Sequence, residues 1–256
     1  MLFNQIVYGP IHSRRLGCSL GVNLMPRDVK ICTFDCIYCE CGFNTPVHHP
    51  HLPTADEVSS ALEATLASLN AEQVVPDVIT FSGNGEPTLH PDFSHIIDVT
   101  CELRDRYCPT AQVSVLSNST QLYRPDVVRA LLRCDNRILK LDSAIDTTMR
   151  LIDQPSADGF NVERLIGYLQ QFKGDLTVQT CFLRGKYRGH TIDNTTKAEV
   201  EAWIDALRRI APRDLSIYVI DRATPVSTLE KISRAEMDAI ADRARCELGI
   251  HVQVSA

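Results

Sequence analysis

The chain has 256 residues, with 26 Lys plus Arg against 32 Asp plus Glu, a formal net charge of -6 and 44% hydrophobic residues. That composition excludes collagen-like, disordered and disulfide-stapled miniature classes, and the acidic balance leaves no global basic footprint for non-specific nucleic-acid binding. No run approaches the roughly 18 apolar residues of a membrane span and no secretory signal is apparent at the start, so the chain is expected in the cytoplasm, where its ten cysteines stay reduced.

In chain order, the first strand is expected at residues 19–24, after an N-terminal stretch that reads mostly as loop. Thr54 with Glu57 three residues on forms a capping box that opens a helix over 54–69. Strands at 77–82, 113–116, 137–141, 176–182 and 215–220 then alternate with amphipathic helices at 93–107, 125–132, 162–172 and 197–210. A last helix, 233–248, opens on a second capping box, Ser233 with Glu236, stops at Gly249 and precedes the alternating HVQV. Six such strand–helix pairs imply βα units and a parallel sheet. Eight units close a barrel in about 250 residues. Because the first fifty or so residues are mostly loop, a partial (β/α)6 TIM barrel fits better. A single domain over 1–256 is expected, with an N-terminal segment and cysteine loop in 1–53 and the βα units in 54–256.

Five cysteines fall between Cys18 and Cys41, whereas Cys101, Cys108, Cys134, Cys181 and Cys246 are scattered singly and read as small buried hydrophobes. In KICTFDCIYCECG, Cys32, Cys36 and Cys39 stand in C-x3-C-x2-C spacing with Tyr38 directly before the third. Three thiolates on one tight loop can hold three irons of a cubane cluster and leave the fourth open to a ligand. Buried or zinc-binding cysteines are the alternative, although zinc favours two separated ligand pairs and no second CxxC or HxxxH follows.

Sites in βα folds lie at the C-terminal ends of strands. The strand at 77–82 runs into Ser82-Gly83-Asn84-Gly85-Glu86-Pro87-Thr88, where glycines let backbone approach a ligand and a fixed carboxylate can accept from an ammonium group; a plain turn with a solvated Glu is the alternative. The next strand ends in Ser117-Asn118-Ser119, polar groups suited to ribose hydroxyls or to an ordinary turn. The strand at 137–141 delivers Lys140 and Asp142 on one face, as a structural pair or a ligand contact.

The cysteine loop resembles the signature of the radical S-adenosylmethionine (SAM) superfamily, including the aromatic at Tyr38. The resemblance implies a 4Fe-4S cluster on Cys32, Cys36 and Cys39 whose open iron chelates the amino and carboxylate groups of SAM. Reductive cleavage would then yield methionine and a 5'-deoxyadenosyl radical that abstracts a hydrogen atom from substrate. Reduced flavodoxin or ferredoxin is the electron donor so implied. The segment from Ser82 to Thr88 is similar to the superfamily's Gly-Gly-Glu motif, which assigns Gly83, Asn84, Gly85 and Glu86 to the SAM amino group, with Asn84 standing where the first of the paired glycines is common. Ser117 and Asn118 are implied near the ribose or carboxylate, and Tyr38, Lys140 and Asp142 near the cofactor.

The N-terminal stretch YGPIHSRRLGCSLGVNLMP carries His12, Arg14 and Arg15, and with the two motifs above it resembles a radical SAM subgroup related to the wyosine-base synthases of tRNA. Three functions stay open: modification of tRNA or a nucleobase; radical action on a small metabolite or activation of a protein partner; and a non-enzymatic iron–sulfur carrier or zinc module, which predicts four protein ligands and no SAM turnover. His48, His49 and His51 lie among prolines and read as a stiff surface loop rather than a metal site, Cys41 as a packed thiol or else a ligand to a second metal or a radical trap, and Asp221 with Arg222 as substrate-facing or a surface ion pair.

Overall fold

The computed structural model describes residues 2–47 and 50–256; His48 and His49 of the proline-rich loop lie outside them. The described strands are β1 (Val7–Ser13), β2 (Gly17–Val22), β3 (Val78–Phe81), β4 (Gln112–Ser117), β5 (Asn136–Lys140), β6 (Thr177–Tyr187), β7 (His190–Asp193), β8 (Asp214–Val219), β9 (Leu229–Lys231) and β10 (His251–Ser255). Between them run α1 (Ala55–Ala71), α2 (Phe93–Tyr107), α3 (Pro125–Arg133), α4 (Asp146–Asp153), α5 (Val162–Gln170), α6 (Lys197–Ile210) and α7 (Arg234–Leu248). They gather into two compact units, one of Met1–Cys32, Asn44–Ser117 and Gln121–Arg137, the other of Thr33–Phe43, Asn118–Thr120 and Ile138–Ala256.

In the first unit β1 and β2 form an antiparallel hairpin, and β2, β3 and β4 continue in parallel. All four residues of β3 are buried, as befits a strand covered on both faces. The expected capping box starts α1: the Glu57 amide donates to Thr54 Oγ1 at 3.2 Å and the Thr54 amide to Glu57 Oε2 at 2.7 Å. Val58, Leu62, Leu66 and Leu69 form the helix's buried stripe. Pro125 begins α3, where its missing amide hydrogen costs no helical bond.

In the second unit β5, β6, β8 and β10 are parallel neighbours. β6 outruns that ladder, and its distal half pairs antiparallel with β7 and β9. One face of this sheet packs on α6. There the Trp203 indole donates to Thr180 Oγ1 at 3.0 Å and its ring meets Phe182 edge-on.

Several elements depart from expectation. The N-terminal stretch is a strand, β1, interrupted by a register shift between Tyr8 and Ile11 where Gly9 and Pro10 stand. Helix α4 arises in DTTMRLID, too short and too rich in β-branched threonine to announce itself, and its N-terminus has no side-chain cap. No two cysteines are bridged. Cys101, Cys108, Cys134 and Cys181 are buried as expected, but Cys246 is exposed, because α7 buries only the stripe Met237, Ile240, Ala241 and Ala244. No helix among the described residues is long and apolar enough to cross a membrane.

The second capping box also forms at α7, and Glu236 there also pairs with Arg184 at 2.5 Å. Hydrogen bonding from Ser233, then Arg184, holds the Glu236 carboxyl down to about 2. A depressed carboxylate stabilises above its ordinary range and loses that contribution as pH falls through its folded value. Wild-type protein is therefore expected to lose urea resistance between pH about 4.5 and 2 by more than Glu236→Gln does, measured as denaturation midpoints across that window.

Candidate functional site

In the first unit, the turn after β3 is set by a bridge to the residue before the first loop cysteine. The Ile31 amide donates to the Asn84 carbonyl at 2.9 Å and the Glu86 amide to the Ile31 carbonyl at 3.0 Å, flanking Gly85. Gly85 has φ +142°, and a Cβ there would stand 1.8 Å from the Ile31 carbonyl oxygen, so no other residue permits the pairing. Cys32 is clipped in turn by Asn44, whose side chain accepts from the Cys32 amide and donates to its carbonyl, each at 3.1 Å.

Glu86 is buried and caps a single 3-10 turn, Pro87–Leu89. Its Oε1 accepts from the Thr88 amide at 3.1 Å, from the Thr88 hydroxyl, and from Ser117 Oγ at 2.7 Å. Ser117, expected near a ribose, thus ties the end of β4 to this carboxylate. Asn84, the residue in the glycine's place, is fully buried and takes other partners: its side chain accepts from the Phe3 amide at 2.7 Å and donates to the carbonyls of Phe3 and Pro26, each at 2.8 Å. Gly83 packs on Asn23, whose Oδ1 accepts from the amides of Asn84 and Met25.

In the second unit the rest of the cysteine loop lies along the C-terminal end of α4. The Asp35 amide donates to the Asp153 carbonyl and the Ile37 amide to the Ile152 carbonyl, both at 2.9 Å, while Phe34 bridges Pro155 and the Ser156 amide reaches the Thr33 carbonyl at 2.9 Å. Helix-end carbonyls that lack helical partners are thereby satisfied by the loop. Cys36 and Cys39 share one turn, the Cys39 amide donating to the Cys36 carbonyl at 3.0 Å. Asn118 supports the loop from the side, its Nδ2 donating to Thr33 Oγ1 at 2.9 Å.

Beneath the loop the expected pair of Lys140 and Asp142 is part of a larger buried charge network. Lys140 contacts Asp142 and the Tyr38 hydroxyl, lies 3.2 Å from Asp153 Oδ1, and sits 4.6 Å from the Tyr38 ring centroid. The Tyr38 hydroxyl donates to Asp142 and receives Tyr218 at 3.4 Å, and the Cys36 thiol donates to Asp153 Oδ1 at 3.4 Å. Burial works against the Lys140 charge, but Asp142 and Asp153 outweigh it and lift its pKa well above the usual value. Burial, and then Asp142, raise the Tyr38 hydroxyl likewise. Burial also pushes the Asp153 carboxyl up to about 7, with Lys140 pulling the other way.

The sequence reading named Tyr38, Lys140 and Asp142 but not Asp153, Tyr218, Asn23, Asn44 or Thr33. Asp153 sits in the unanticipated α4, Thr33 is one of the unspecified positions between Cys32 and Cys36, and Tyr218, Asn23 and Asn44 are single polar residues outside any spaced motif. Arg222 makes a surface pair with Glu40 at 2.8 Å and Asp221 one with Lys231 at 3.4 Å. Arg14 and Arg15 occupy the turn between β1 and β2. Among the described residues no group of three His, Cys, Asp or Glu side chains stands ready around a metal position. A cleft of about 530 Å³ opens among β6, β7 and β9, lined by Arg184, Lys186, Asp193 and Glu230 among others, and holds none of the expected site residues.

Among known proteins, the chain is 30% identical over 230 residues to UPF0026 protein slr1464 of Synechocystis, covering 86% of this chain and 77% of that one. The chain belongs to the UPF0026 family. UPF0026 protein MJ1312 of Methanocaldococcus jannaschii is 32% identical over 198 residues, 75% of this chain and 59% of its own. A Brachyspira hyodysenteriae protein named GTPase Obg is 30% identical over 253 residues, 96% of this chain but 35% of its own length. The UPF0026 chain thus spans about three fifths of the first of these last two relatives and about a third of the second. No family model matches it. In structure it is similar to Streptococcus suis SuiB bound to S-adenosylmethionine, with TM-score 0.65 and 14% identity over 92% of this chain and 50% of that one. It is equally similar to a radical SAM methyltransferase of Sphaerobacter thermophilus, with TM-score 0.65 and 14% identity over 92% and 65% of the two chains. The UPF0026 chain has the α/β fold of the radical SAM enzymes, the partial barrel expected of its βα pattern.

Two substitutions probe this architecture. Gly85→Ala is expected to open the Ile31 bridge at a cost above about 2 kcal/mol, read as lost hydrogen-exchange protection at the Ile31 and Glu86 amides. Lys140→Met leaves buried carboxylates without their cation and should cost about 3–5 kcal/mol in urea denaturation, whereas the exposed Arg222→Met should cost less than about 1.

Proposed function

We propose that this UPF0026 protein is a radical SAM enzyme, with Cys32, Cys36 and Cys39 as the thiolate ligands of a 4Fe-4S cluster. The observation that carries the reading is the Ile31–Gly85 bridge, which ties the start of the cysteine motif to the glycine–glutamate motif by two backbone hydrogen bonds. A carrier or zinc module has no use for that coupling, whereas an enzyme that must hold one ligand against an iron does. When bound, the cluster and SAM supply a 5'-deoxyadenosyl radical for hydrogen abstraction from a substrate.

The donor set suits an iron–sulfur cluster: three soft thiols on one loop, two of them on a single turn. Cys36 gives up its bond to Asp153 when its thiolate binds metal. Glu86 offers a carboxylate already oriented by Thr88 and Ser117, able to accept from an ammonium group without first being ordered. Gly83 and Gly85 bring backbone to the same place, and Asn118 acts through Thr33 on the posture of the loop. Tyr38 closes over the Lys140 and Asp142 pair, so water is kept from that floor. Reduced flavodoxin or ferredoxin supplies the electron. The resemblance to the wyosine-base synthases, with Arg14 and Arg15 in the β1–β2 turn, favours tRNA or a nucleobase as substrate.

The test is an anaerobic assay of iron-reconstituted protein with SAM and a strong reductant, following 5'-deoxyadenosine by mass spectrometry. Wild type and His49→Ala are expected to form it at similar rates and Cys36→Ala not at all; full cleavage by the cysteine variant would overturn the assignment. Glu86→Ala should weaken SAM binding at unchanged iron content, and loss of iron instead would make Glu86 a purely structural residue.

A further inference from the structure

The second unit carries a row of polar side chains on the sheet face opposite the one that meets α6. β5, β6, β8 and β10 are in register at Lys140, Gln179, Ser216 and Gln253. Thr180 and Phe182 belong to the opposite face, where they meet Trp203 of α6, so strand alternation turns Gln179 and its row neighbours the other way. The same face carries Tyr218, whose hydroxyl reaches Tyr38 of the cysteine loop. Barrel interiors that serve only as packed cores are filled by branched apolar residues at such positions.

Ser216 is the member of the row that the chain itself does not satisfy. It is 4% exposed, yet its Oγ has no hydrogen-bond partner among the described residues. A buried hydroxyl left unmet is costly and calls for a partner from outside the chain. The cation of the row is already committed, because Lys140 faces both Asp142 and Asp153. A carboxylate or phosphate bound here would find no spare counterion, and an apolar group would leave Ser216 unmet. What fits is a neutral edge bearing a hydrogen-bond donor beside an acceptor, which the Gln179 carboxamide matches in kind.

We infer that Gln179 and Ser216 form a binding subsite for a neutral lactam or carboxamide group of the substrate. This deepens the radical SAM reading by naming the chemistry of the group it acts beside, and rests on that reading only for the reaction of the bound substrate. The subsite itself requires neither iron nor SAM.

The experiment is thermal denaturation of the full chain without iron or SAM, in the presence of uracil, N-acetylglycinamide, succinate or toluene. Uracil or N-acetylglycinamide should raise the melting temperature of wild type and leave Gln179→Ala, Gln179→Glu and Ser216→Ala unshifted. Protection by uracil alone identifies a nucleobase as the source of the lactam, and by N-acetylglycinamide alone a carboxamide. Ser216→Ala, relieved of an unmet hydroxyl, should itself melt about 2–4 °C above wild type with no probe present. A lower melting temperature for Ser216→Ala would give the hydroxyl a structural partner and overturn the inference. So would protection by succinate or toluene in place of the neutral probes, failure of both neutral probes on wild type, or protection that survives the substitutions. Because no cofactor takes part, failure here leaves 5'-deoxyadenosine formation unaffected, and failure of that assay leaves these shifts intact.

Discussion

Two backbone hydrogen bonds on either side of one glycine hold the turn after β3 and the entry to Cys32 in place. Ile31 and Gly85 come from distant parts of the chain, and their pairing requires a carbonyl oxygen to occupy the volume that any side chain at 85 would fill. Once that contact exists, the peptide leading into Cys32 has a fixed direction and Glu86 a fixed starting point. The carboxylate then needs only local partners, Thr88 and Ser117, to complete its orientation. Asn23 braces the same turn through the Asn84 amide. Order spreads from the glycine outward, each later bond costing little entropy because the earlier ones have already been formed.

The second unit solves a different problem, that of keeping charge beneath a loop. A lone buried lysine or carboxylate would be prohibitive, so Lys140 is met by Asp142 and Asp153 and covered by the face of the Tyr38 ring. The third-cysteine aromatic is therefore more than a spacer: its hydroxyl and its ring contact both signs of the network. Helix α4 contributes the complementary feature. Its terminal carbonyls, which a helix must lend to some partner, receive the amides of the cysteine loop, so one short element both ends cleanly and fixes the path of residues 33–37.

Much of this was legible in advance where a rule has a short range. Both capping boxes form as read, and the strand expected at 137–141 is β5, Asn136–Lys140. Alternation placed Lys140 and Asp142 together, and the Ser82-to-Thr88 segment follows directly on β3 as βα logic requires, whereas the C-x3-C-x2-C segment stands beyond a loop after β2. The hairpin strand β1 was hidden by Gly9 and Pro10, which read as punctuation, and α4 by threonines and a missing cap. Asp153, Asn44 and Asn23 act through partners outside their own elements, Asn23 through the Asn84 amide besides its neighbour Met25, and a side chain's distant partner leaves no periodic trace. Cys246 failed for a related reason: residue type suggested burial, but the face of α7 decides it.

Asn84 carries an implication for how such chains diverge. In the place of a residue with no side chain it holds a carboxamide that clasps both polar groups of the Phe3 peptide and the carbonyl of Pro26. The segment around residue 3 is thus an internal strut of the first unit. Glycine at 84 would release that strut at one stroke, while asparagine there is of use only to a chain whose leading segment can be grasped. The identity of residue 84 and the path of the leading segment should consequently be inherited as a pair across the family, and a change in one without the other marks a lineage in which the turn after β3 has found a different brace.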